Sequence, residues 1–313
     1  MARAVRFDRY GGSEVLHLVD VVQPRPGPGE VVVRVVVAAI NPGEIMIREG
    51  ALAERWPATF PEGQGNDFSG RVVEVGAGVT RVSAGDEVIG FAPRAAQADY
   101  VRTAADRLTR KPAGVPWEVA ATLAGAGSTA YAAVRAVRLH PGETVVVAAA
   151  AGGIGVIAAQ LARLAGARVI GTAGDANAAF LRSLGIQPVR HGEGLLERIR
   201  GLAPAGVDAY LDNFGAGNVE VAIQLGVAPD RVNTIIDIAA AARYGVRSDA
   251  QAQADSPSVW EELAELVEAG RLNVPIQSVY PLERVRDAYD ELAERHTRGK
   301  IVLRVAPDEP NDR

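Results

Sequence analysis

The chain of 313 residues contains no cysteine, and only two of its 33 basic residues, Lys111 and Lys300, are lysine. Without cysteine the protein has no disulfide bond, no thiolate nucleophile and no thiolate ligand for a metal. Aromatic residues make up 5% of the chain. We interpret the excess of arginine over lysine as a reflection of genome composition rather than of binding.

A basic surface is also absent, because the formal net charge is −5. We therefore expect no electrostatic attraction to nucleic acid or to anionic lipid. The first ten residues, MARAVRFDRY, lack the apolar stretch of a secretory signal. We expect a cytoplasmic protein without a membrane partner.

The sequence of residues 1–115 predicts mainly β-strands. The apolar run Glu30–Ile40 follows a stiff Pro/Gly turn, and short strand candidates lie at Gly70–Val75 and Glu87–Gly90. Short strands separated by Gly and Pro are typical of a compact barrel or sandwich. With 48% apolar residues, the chain is long enough for two domains.

The stretch Thr144–Ala173 carries the strongest motif. An apolar run at Val145–Val147 meets a small-residue turn, an Ala-rich helical pattern follows, and a second apolar run ends the unit. Glycines at the start of a helix let the backbone approach a pyrophosphate, whose charge the helix N-terminus favours. A tight turn packed between strand and helix is the other interpretation, and a membrane span is disfavoured by the central glycines.

From about residue 117 the pattern alternates between helices and strands, which predicts a parallel, doubly wound sheet. We predict one long helix over Trp117–Arg138. Further helices are predicted at Asn177–Ser183, Leu195–Gly201, Val219–Leu225, Ser256–Ala269 and Leu282–Glu294. Strands are predicted near Val189 and at Ala209–Leu211, Arg231–Ile236 and Lys300–Val305. We expect the tail, Pro307–Arg313, to be disordered.

The chain resembles the medium-chain dehydrogenase/reductase superfamily, and within it the zinc-free quinone oxidoreductase branch. The resemblance covers nearly the whole chain. It rests on short sequence motifs that follow each other in the same order as in the family. Among them are AAINPGEIMIREG, GNDFSGRVVEVGAGV, KPAGVPWEVAATLAGAGSTAY, AGGIG and RGKIVL. It implies an α/β protein in which residues 1–118 and 254–313 form a GroES-like β-barrel domain and residues 119–253 form a Rossmann domain.

The resemblance also indicates whether the chain has the ligands for a zinc ion. Zinc relatives place a cysteine and a His-Glu pair where this chain has Asn41, Asn66 and Asp67, and the four histidines are scattered in sequence. We therefore predict no metal site.

The same resemblance implies a nicotinamide cofactor. Ala173 stands where NAD enzymes place an acid for the ribose hydroxyls, which favours NADPH, although the nearby Asp175 could serve NADH. The other interpretation of Asp175 is helix capping. The predicted cofactor-binding residues are Thr129, Ala151, Gly152, Gly153, Ile154, Thr172, Ala173, Gly174, Asn177, Arg190, His191, Asn213, Phe214, Ile236 and Asp237.

Without zinc, the implied reaction is hydride transfer to a quinone or to an alkene conjugated to a carbonyl. Asn41 and Thr129 are the predicted catalytic residues, and Asn41 would contact the acceptor or the carboxamide. Asn-Pro is also a common turn starter. The predicted acceptor pocket comprises Ile45, Met46, Leu52, Trp56, Phe60 and Phe91.

Met46 occupies a position at which relatives often carry a tyrosine, which leaves two further hypotheses open. One is an NADPH-binding sensor that turns over nothing. The other is an enoyl reductase or cyclase of specialised metabolism. We expect a homodimer, although the stretch Tyr244–Ala254 is more polar than a pairing edge strand usually is.

Overall fold

A computed structural model describes residues 1–248 and 256–306. The chain divides into two units. Unit 1 comprises Met1–Gly125, Ser256–Arg271 and Pro275–Arg313, and unit 2 comprises Ala126–Asp255 with Leu272–Val274. The predicted disordered tail lies outside the described residues, and so does most of the stretch considered for dimerisation.

Unit 1 is built on two sheets. Its strands are β1 Ala2–Phe7, β2 His17–Val21, β3 Glu30–Ala39, β4 Glu62–Gly63, β5 Asp67–Val75, β6 Glu87–Phe91, β7 Tyr100–Ala104, β8 Leu108–Arg110, β14 Ile276–Pro281 and β15 Lys300–Arg304. The larger sheet has the order β14-β15-β3-β5-β6-β8, with β7 also paired to β3, and the smaller has the order β2-β1-β4.

The central strand of unit 1 is β3, which is buried along nearly its whole length. Its run of valines suits a strand covered on both faces, because β-branched side chains pack well on a pleated surface. The helices of this unit are α1 Pro42–Arg48, α2 Trp117–Ala120, α9 Pro257–Glu268 and α10 Val285–Ala293. Helix α10 contributes Val285, Ala288, Tyr289 and Leu292 to the same apolar core.

Unit 2 contains a five-stranded parallel sheet in the order β11-β10-β9-β12-β13. The strands are β9 Thr144–Val147, β10 Arg168–Ala173, β11 Gln187–Arg190, β12 Ala209–Asp212 and β13 Val232–Thr234. The helices are α3 Ser128–Ala136, α4 Gly155–Leu164, α5 Ala178–Ser183, α6 Leu195–Leu202, α7 Asn218–Gln224 and α8 Ile238–Tyr244. The order reverses beside β9, and ligands of open parallel sheets bind outside the carboxyl ends of the strands at that point.

The prediction of a single helix over Trp117–Arg138 is wrong. The segment divides into α2, a π-helical turn at Leu123–Gly127, and α3. The irregular turn contains Gly125, where an added Cβ would lie 2.2 Å from a carboxylate oxygen of Asp67. The backbone passes so close to a buried side chain that a regular helix with larger residues would not fit.

The other predicted elements are present with shifted ends, and Leu282–Arg284 is a 3₁₀ turn that precedes α10. Sequence reasoning missed the strands β1, β2, β4, β7, β8 and β14 and the helices α1 and α8. The membrane-span interpretation of Thr144–Ala173 is wrong, because the segment forms β9, a turn, α4 and β10. In the described part of the chain, no helix combines the length and the hydropathy that a membrane crossing requires.

Candidate active site

The glycine-rich turn of unit 2 joins β9 to α4. Two hydrogen bonds to Thr172 on β10 hold the first part of this turn in place. The peptide N–H of Ala149 donates to Thr172 Oγ1 over 3.0 Å, and that of Ala150 donates to the Thr172 carbonyl over 2.9 Å. Ala149 has a φ of +50°, in the left-handed region. Thr172 therefore positions the turn with its own hydroxyl group.

Gly155, the first residue of α4, closes the turn. A Cβ at this position would lie 2.1 Å from the carbonyl oxygen of Ala149, so only glycine fits here. Four predicted cofactor residues lie in this turn, namely Ala151, Gly152, Gly153 and Ile154. The first turn of this ten-residue helix presents N–H groups, of which that of Val156 donates to the Gly152 carbonyl over 2.9 Å. A helix start of this kind is suited to an anion such as a pyrophosphate.

The ends of β10 and β11 bring together a second group of predicted residues. Ala173 pairs in register with Arg190, and the peptide N–H of His191 donates to the Ala173 carbonyl over 3.4 Å. The Arg190 guanidinium lies 3.8 Å from Asp175 Oδ2, and both side chains are about three-quarters exposed, at 70% and 77%. The carboxylate and the guanidinium are thus accessible at the edge of the sheet.

A buried carboxylate organises the loops that follow β12 and β13. Asp212 Oδ1 accepts the peptide N–H groups of Phe214 and Gly215 over 3.0 and 2.8 Å, and Oδ2 accepts the Thr234 hydroxyl over 2.8 Å. The Thr234 oxygen in turn accepts the N–H groups of Ile236 and Asp237. One side chain therefore sets the shape of both loops that carry predicted cofactor residues.

Within these loops the predicted residues have different surroundings. Asn213 donates from Nδ2 to the Ala148 carbonyl over 3.1 Å, while its buried Oδ1 has no hydrogen-bond partner among the described residues. Phe214 is 40% exposed. Asp237 caps α8 by accepting from the Ala240 N–H. Of the remaining predicted residues, Thr129 is buried on α3, and Asn177 precedes α5.

In unit 1, Asn41 is the centre of a polar network. Its side-chain oxygen accepts from Lys300 Nζ over 2.6 Å, and its Nδ2 donates to Asp67 Oδ2 over 2.8 Å and to Glu44 Oε1 over 3.3 Å. This orientation of the amide follows from chemistry, since the reverse one would direct N–H groups at an ammonium and an oxygen at two carboxylates. Both N–H groups of the side chain are therefore used within the protein.

Glu44 and Tyr289 continue the network into the core. Glu44 is buried and accepts from the Asn41 peptide N–H, from Asn66 Nδ2 and, over 2.6 Å, from the Tyr289 hydroxyl. Burial raises the pKa of the Glu44 carboxyl group, although its bonds from Tyr289 and Asn41 oppose that shift. The Tyr289 hydroxyl itself accepts from two buried amides, Gln64 and Gln97.

Lys300 balances the negative charge of the network. Its ammonium also donates to the Ile40 carbonyl over 2.8 Å, and the side chain is buried. Burial lowers the pKa of Lys300, and the charges of Asp67 and Glu44 oppose this shift. A buried lysine bonded in this way costs desolvation free energy that its partners must offset.

The predicted acceptor-pocket residues of unit 1 differ in exposure. Trp56 and Phe60 are 38% and 40% exposed. Phe60 packs edge-on against Phe7 and Tyr10, whereas Ile45 packs against the apolar core. The other three, namely Met46, Leu52 and Phe91, are of intermediate burial.

Sequence reasoning missed Glu44, Tyr289 and Lys300 as members of this network. A signal for Glu44 was present, because Asn41-Pro-Gly-Glu44 has the spacing of a capping box and predicts the start of α1. Tyr289 and Lys300 lie about 250 residues further along the chain and have no such local signal.

Comparisons with known proteins agree with this architecture. A family model described as alcohol dehydrogenase GroES-like domain matches residues 27–145, and two described as zinc-binding dehydrogenase match residues 153–227 and 196–303. The quinone oxidoreductase of Pseudomonas aeruginosa is 30% identical over 97% of this chain and 99% of its own length. This chain is a medium-chain dehydrogenase/reductase of the quinone oxidoreductase branch.

Solved structures of the branch match nearly the whole chain. A quinone oxidoreductase from Coxiella burnetii has a TM-score of 0.87 and 29% identity, covering 97% of this chain and 99% of that one. The Escherichia coli quinone oxidoreductase complexed with NADPH has a TM-score of 0.85 and 26% identity, covering 97% and 100%. The predictions of family, fold class and oxidoreductase activity are confirmed.

Zinc does not fit the residues at the compared positions, despite the description of two of the family models. The amide groups of Asn41 and Asn66 direct their N–H donors at carboxylates, and an ammonium adjoins Asn41 Oδ1. Zinc prefers imidazole, thiolate or carboxylate ligands, and a neighbouring ammonium repels it. In residues 1–248 and 256–306, no group of three or more His, Asp or Glu side chains could hold a metal ion.

Proposed function

We propose that the protein is a zinc-independent reductase that uses NADPH to transfer a hydride to a quinone or to an α,β-unsaturated carbonyl compound. The observation that carries this proposal is the turn between β9 and α4, where Gly155 leaves no room for a side chain at the start of a helix. The N-terminus of a helix favours the charge of a pyrophosphate. The NADPH complex of the Escherichia coli relative supports the choice of cofactor.

NADPH is favoured over NADH by the ends of β10 and β11. Ala173 places no negative charge where an acid would bind ribose hydroxyls, and Arg190 lies beside it in the sheet. A guanidinium is a good partner for the 2′-phosphate of NADPH. Asp175 opposes this choice, but its carboxylate already faces Arg190. Asn213 Oδ1 would gain a donor from a ribose hydroxyl or from water.

When bound, NADPH supplies the hydride, and the protein supplies position and exclusion of water. We propose that Asn41 takes part as a hydrogen-bond acceptor. Both of its N–H groups are used by Asp67 and Glu44, so Oδ1, which accepts from Lys300, is the atom of the amide through which Asn41 would act. Asn41 therefore suits the carboxamide N–H of the nicotinamide better than the carbonyl of an acceptor, which offers no donor.

Replacement of Asn41 tests this role. We expect wild type to bind NADPH roughly tenfold more tightly than the analogue whose carboxamide is replaced by acetyl, because the analogue lacks the N–H donor. Asn41→Ala should bind NADPH and the acetyl analogue with about equal affinity, as measured by fluorescence titration. Gln97→Met is the control, since Gln97 touches the same network only through Tyr289. A preference that survives in Asn41→Ala would contradict the proposed contact.

The second candidate function is an NADPH-binding sensor that turns over nothing. The observation behind it is Met46 on α1, whose thioether cannot donate a proton, together with the engaged N–H groups of Asn41. In the reductase, the proton that completes the reduction would come from water.

One experiment separates the two functions. NADPH and NADH are titrated by fluorescence, and each complex then receives a panel of quinones and enones while cofactor oxidation is followed at 340 nm. Rapid oxidation of NADPH by one acceptor class supports the reductase. Tight binding with no oxidation across the panel supports the sensor, and absence of binding to either cofactor contradicts both.

A further inference from the structure

The loop between β11 and α6 is held by one guanidinium. Arg198 lies in the first turn of α6, and it donates to four consecutive backbone carbonyls. Its Nε and Nη2 reach the Arg190 carbonyl over 3.0 and 2.9 Å, and Nη2 also approaches those of His191 and Gly192 over 3.3 and 3.2 Å. Its Nη1 reaches the Glu193 carbonyl over 2.7 Å.

The backbone of this loop is shaped to surround the guanidinium. Gly192 and Gly194 have φ values of +90° and +74°, in the region that favours glycine. At Gly194 an added Cβ would lie 3.0 Å from Arg198 Nη1. Only a planar group with five N–H donors can serve four carbonyls at once, since a lysine ammonium has three donors on a single atom.

The loop lines an open concavity of about 410 Å³ formed by Arg190, His191, Gly192, Glu193 and Arg198. The charges of the two arginines are offset by two carboxylates, that of Glu193 in the loop and that of Asp175 beside Arg190. Arg190 is largely exposed, with the Asp175 carboxylate 3.8 Å away as its ion-pair partner. Because the Arg190 guanidinium is exposed and its contact with Asp175 is long, it could exchange this partner for a phosphate monoester and bind it by charge-assisted hydrogen bonds.

We infer that Arg198 is a positioning residue that fixes the loop of residues 190–193 for recognition of the 2′-phosphate of NADPH. The inference rests on the proposed function. Because the donors of Arg198 are directed at backbone carbonyls, its contribution is to order Arg190 and His191 before the cofactor arrives. An ordered loop loses less conformational entropy on binding, which raises affinity for the group it contacts.

This role makes a specific prediction for two probes that differ at the 2′ position, adenosine 2′,5′-bisphosphate and adenosine 5′-monophosphate. Wild type should bind the bisphosphate more tightly, as measured by calorimetry. Arg198→Met should weaken binding of the bisphosphate at least tenfold and leave that of the monophosphate within about twofold. The ratio of the two dissociation constants is the readout, because a general loss of stability would affect both probes.

Two further variants make the test discriminating. Arg198→Lys keeps the charge but loses the fork of donors, so a positioning role predicts nearly the same loss as in Arg198→Met. Retention of most of the wild-type ratio in Arg198→Lys would instead indicate direct charge contact with the phosphate. Arg200→Met is the matched control on the same helix, since Arg200 bonds to Glu197 and to the Gln224 carbonyl and touches no part of the loop.

The outcomes separate this inference from the proposed function. If wild type binds neither NADPH nor NADH, the proposed function fails and the inference fails with it. If wild type binds both cofactors equally, the 2′-phosphate is not recognised, and the inference fails while a reductase remains. If wild type prefers NADPH and Arg198→Met keeps the full ratio, only the inference is overturned. Thermal unfolding of each variant confirms that it is folded.

Discussion

Gly155→Ala is expected to abolish tight binding of NADPH, raising its dissociation constant at least a hundredfold. The new methyl group would lie 2.1 Å from the Ala149 oxygen and 2.7 Å from its carbonyl carbon, both of which are backbone atoms. The turn must therefore move, and the pyrophosphate loses its fitted N–H groups. Overpacking of this kind also costs about 1–3 kcal/mol of stability. Fluorescence titration and thermal unfolding measure the two effects.

Two glycines provide a graded comparison for Gly155→Ala. At Gly152 an added Cβ would meet the Ala149 oxygen at 3.3 Å, so Gly152→Ala should have an intermediate effect. At Gly201, within α6, it would meet no atom within 4 Å. Gly201→Ala should leave the affinity unchanged and stabilise the helix by about 0.5–1 kcal/mol. Wild-type affinity in Gly155→Ala would show that the cofactor binds elsewhere.

Asp212→Ala is expected to destabilise the protein by about 3–5 kcal/mol. It leaves the N–H groups of Phe214 and Gly215 and the Thr234 hydroxyl without their acceptor, and each unsatisfied buried donor costs about 1–3 kcal/mol. The loops after β12 and β13 should lose their shape, so that NADPH affinity falls together with stability. Urea unfolding and cofactor titration give the two measurements.

The control for this prediction is Asp208→Ala, just before the same strand. The Asp208 carboxylate is exposed and accepts the single N–H of Thr144 over 2.8 Å. Its loss should cost about 0.5–1.5 kcal/mol without an effect on the cofactor. The organising role of Asp212 is refuted if the two variants unfold at the same urea concentration.

The parts of the fold that the sequence predicts well are those determined by residues close together in the sequence. The turn from β9 to α4 is predicted because a β-branched run, small residues and a helical pattern follow each other within 30 residues. The helix over Trp117–Arg138 was predicted wrongly because its interruption depends on the approach of Gly125 to Asp67, which is 58 positions earlier in the chain. Composition and periodicity contain no information on such a contact.

The same reason explains why the polar network around Asn41 was found only in part. Asn41 was singled out by comparison, but its partner Lys300 comes from the last strand. The excess of arginine over lysine was interpreted as genome composition, and neither lysine was considered as a structural residue, yet both are buried and bonded to backbone carbonyls. At both positions the donor to these carbonyls is a compact ammonium rather than a planar guanidinium.

The pairing of β15 with β3 has a consequence for synthesis on the ribosome. Ala39 pairs with Val302, so the end of β3, the central strand of unit 1, is made long before its partner β15. At roughly 5–20 residues per second the delay is on the order of ten to fifty seconds. Meanwhile the sheet of unit 2, whose strands all lie between residues 144 and 234, emerges complete. The nascent protein therefore has the complete sheet of unit 2 while the Val37–Ala39 edge of β3 in unit 1 is still unpaired. A chaperone would be of most use during this interval.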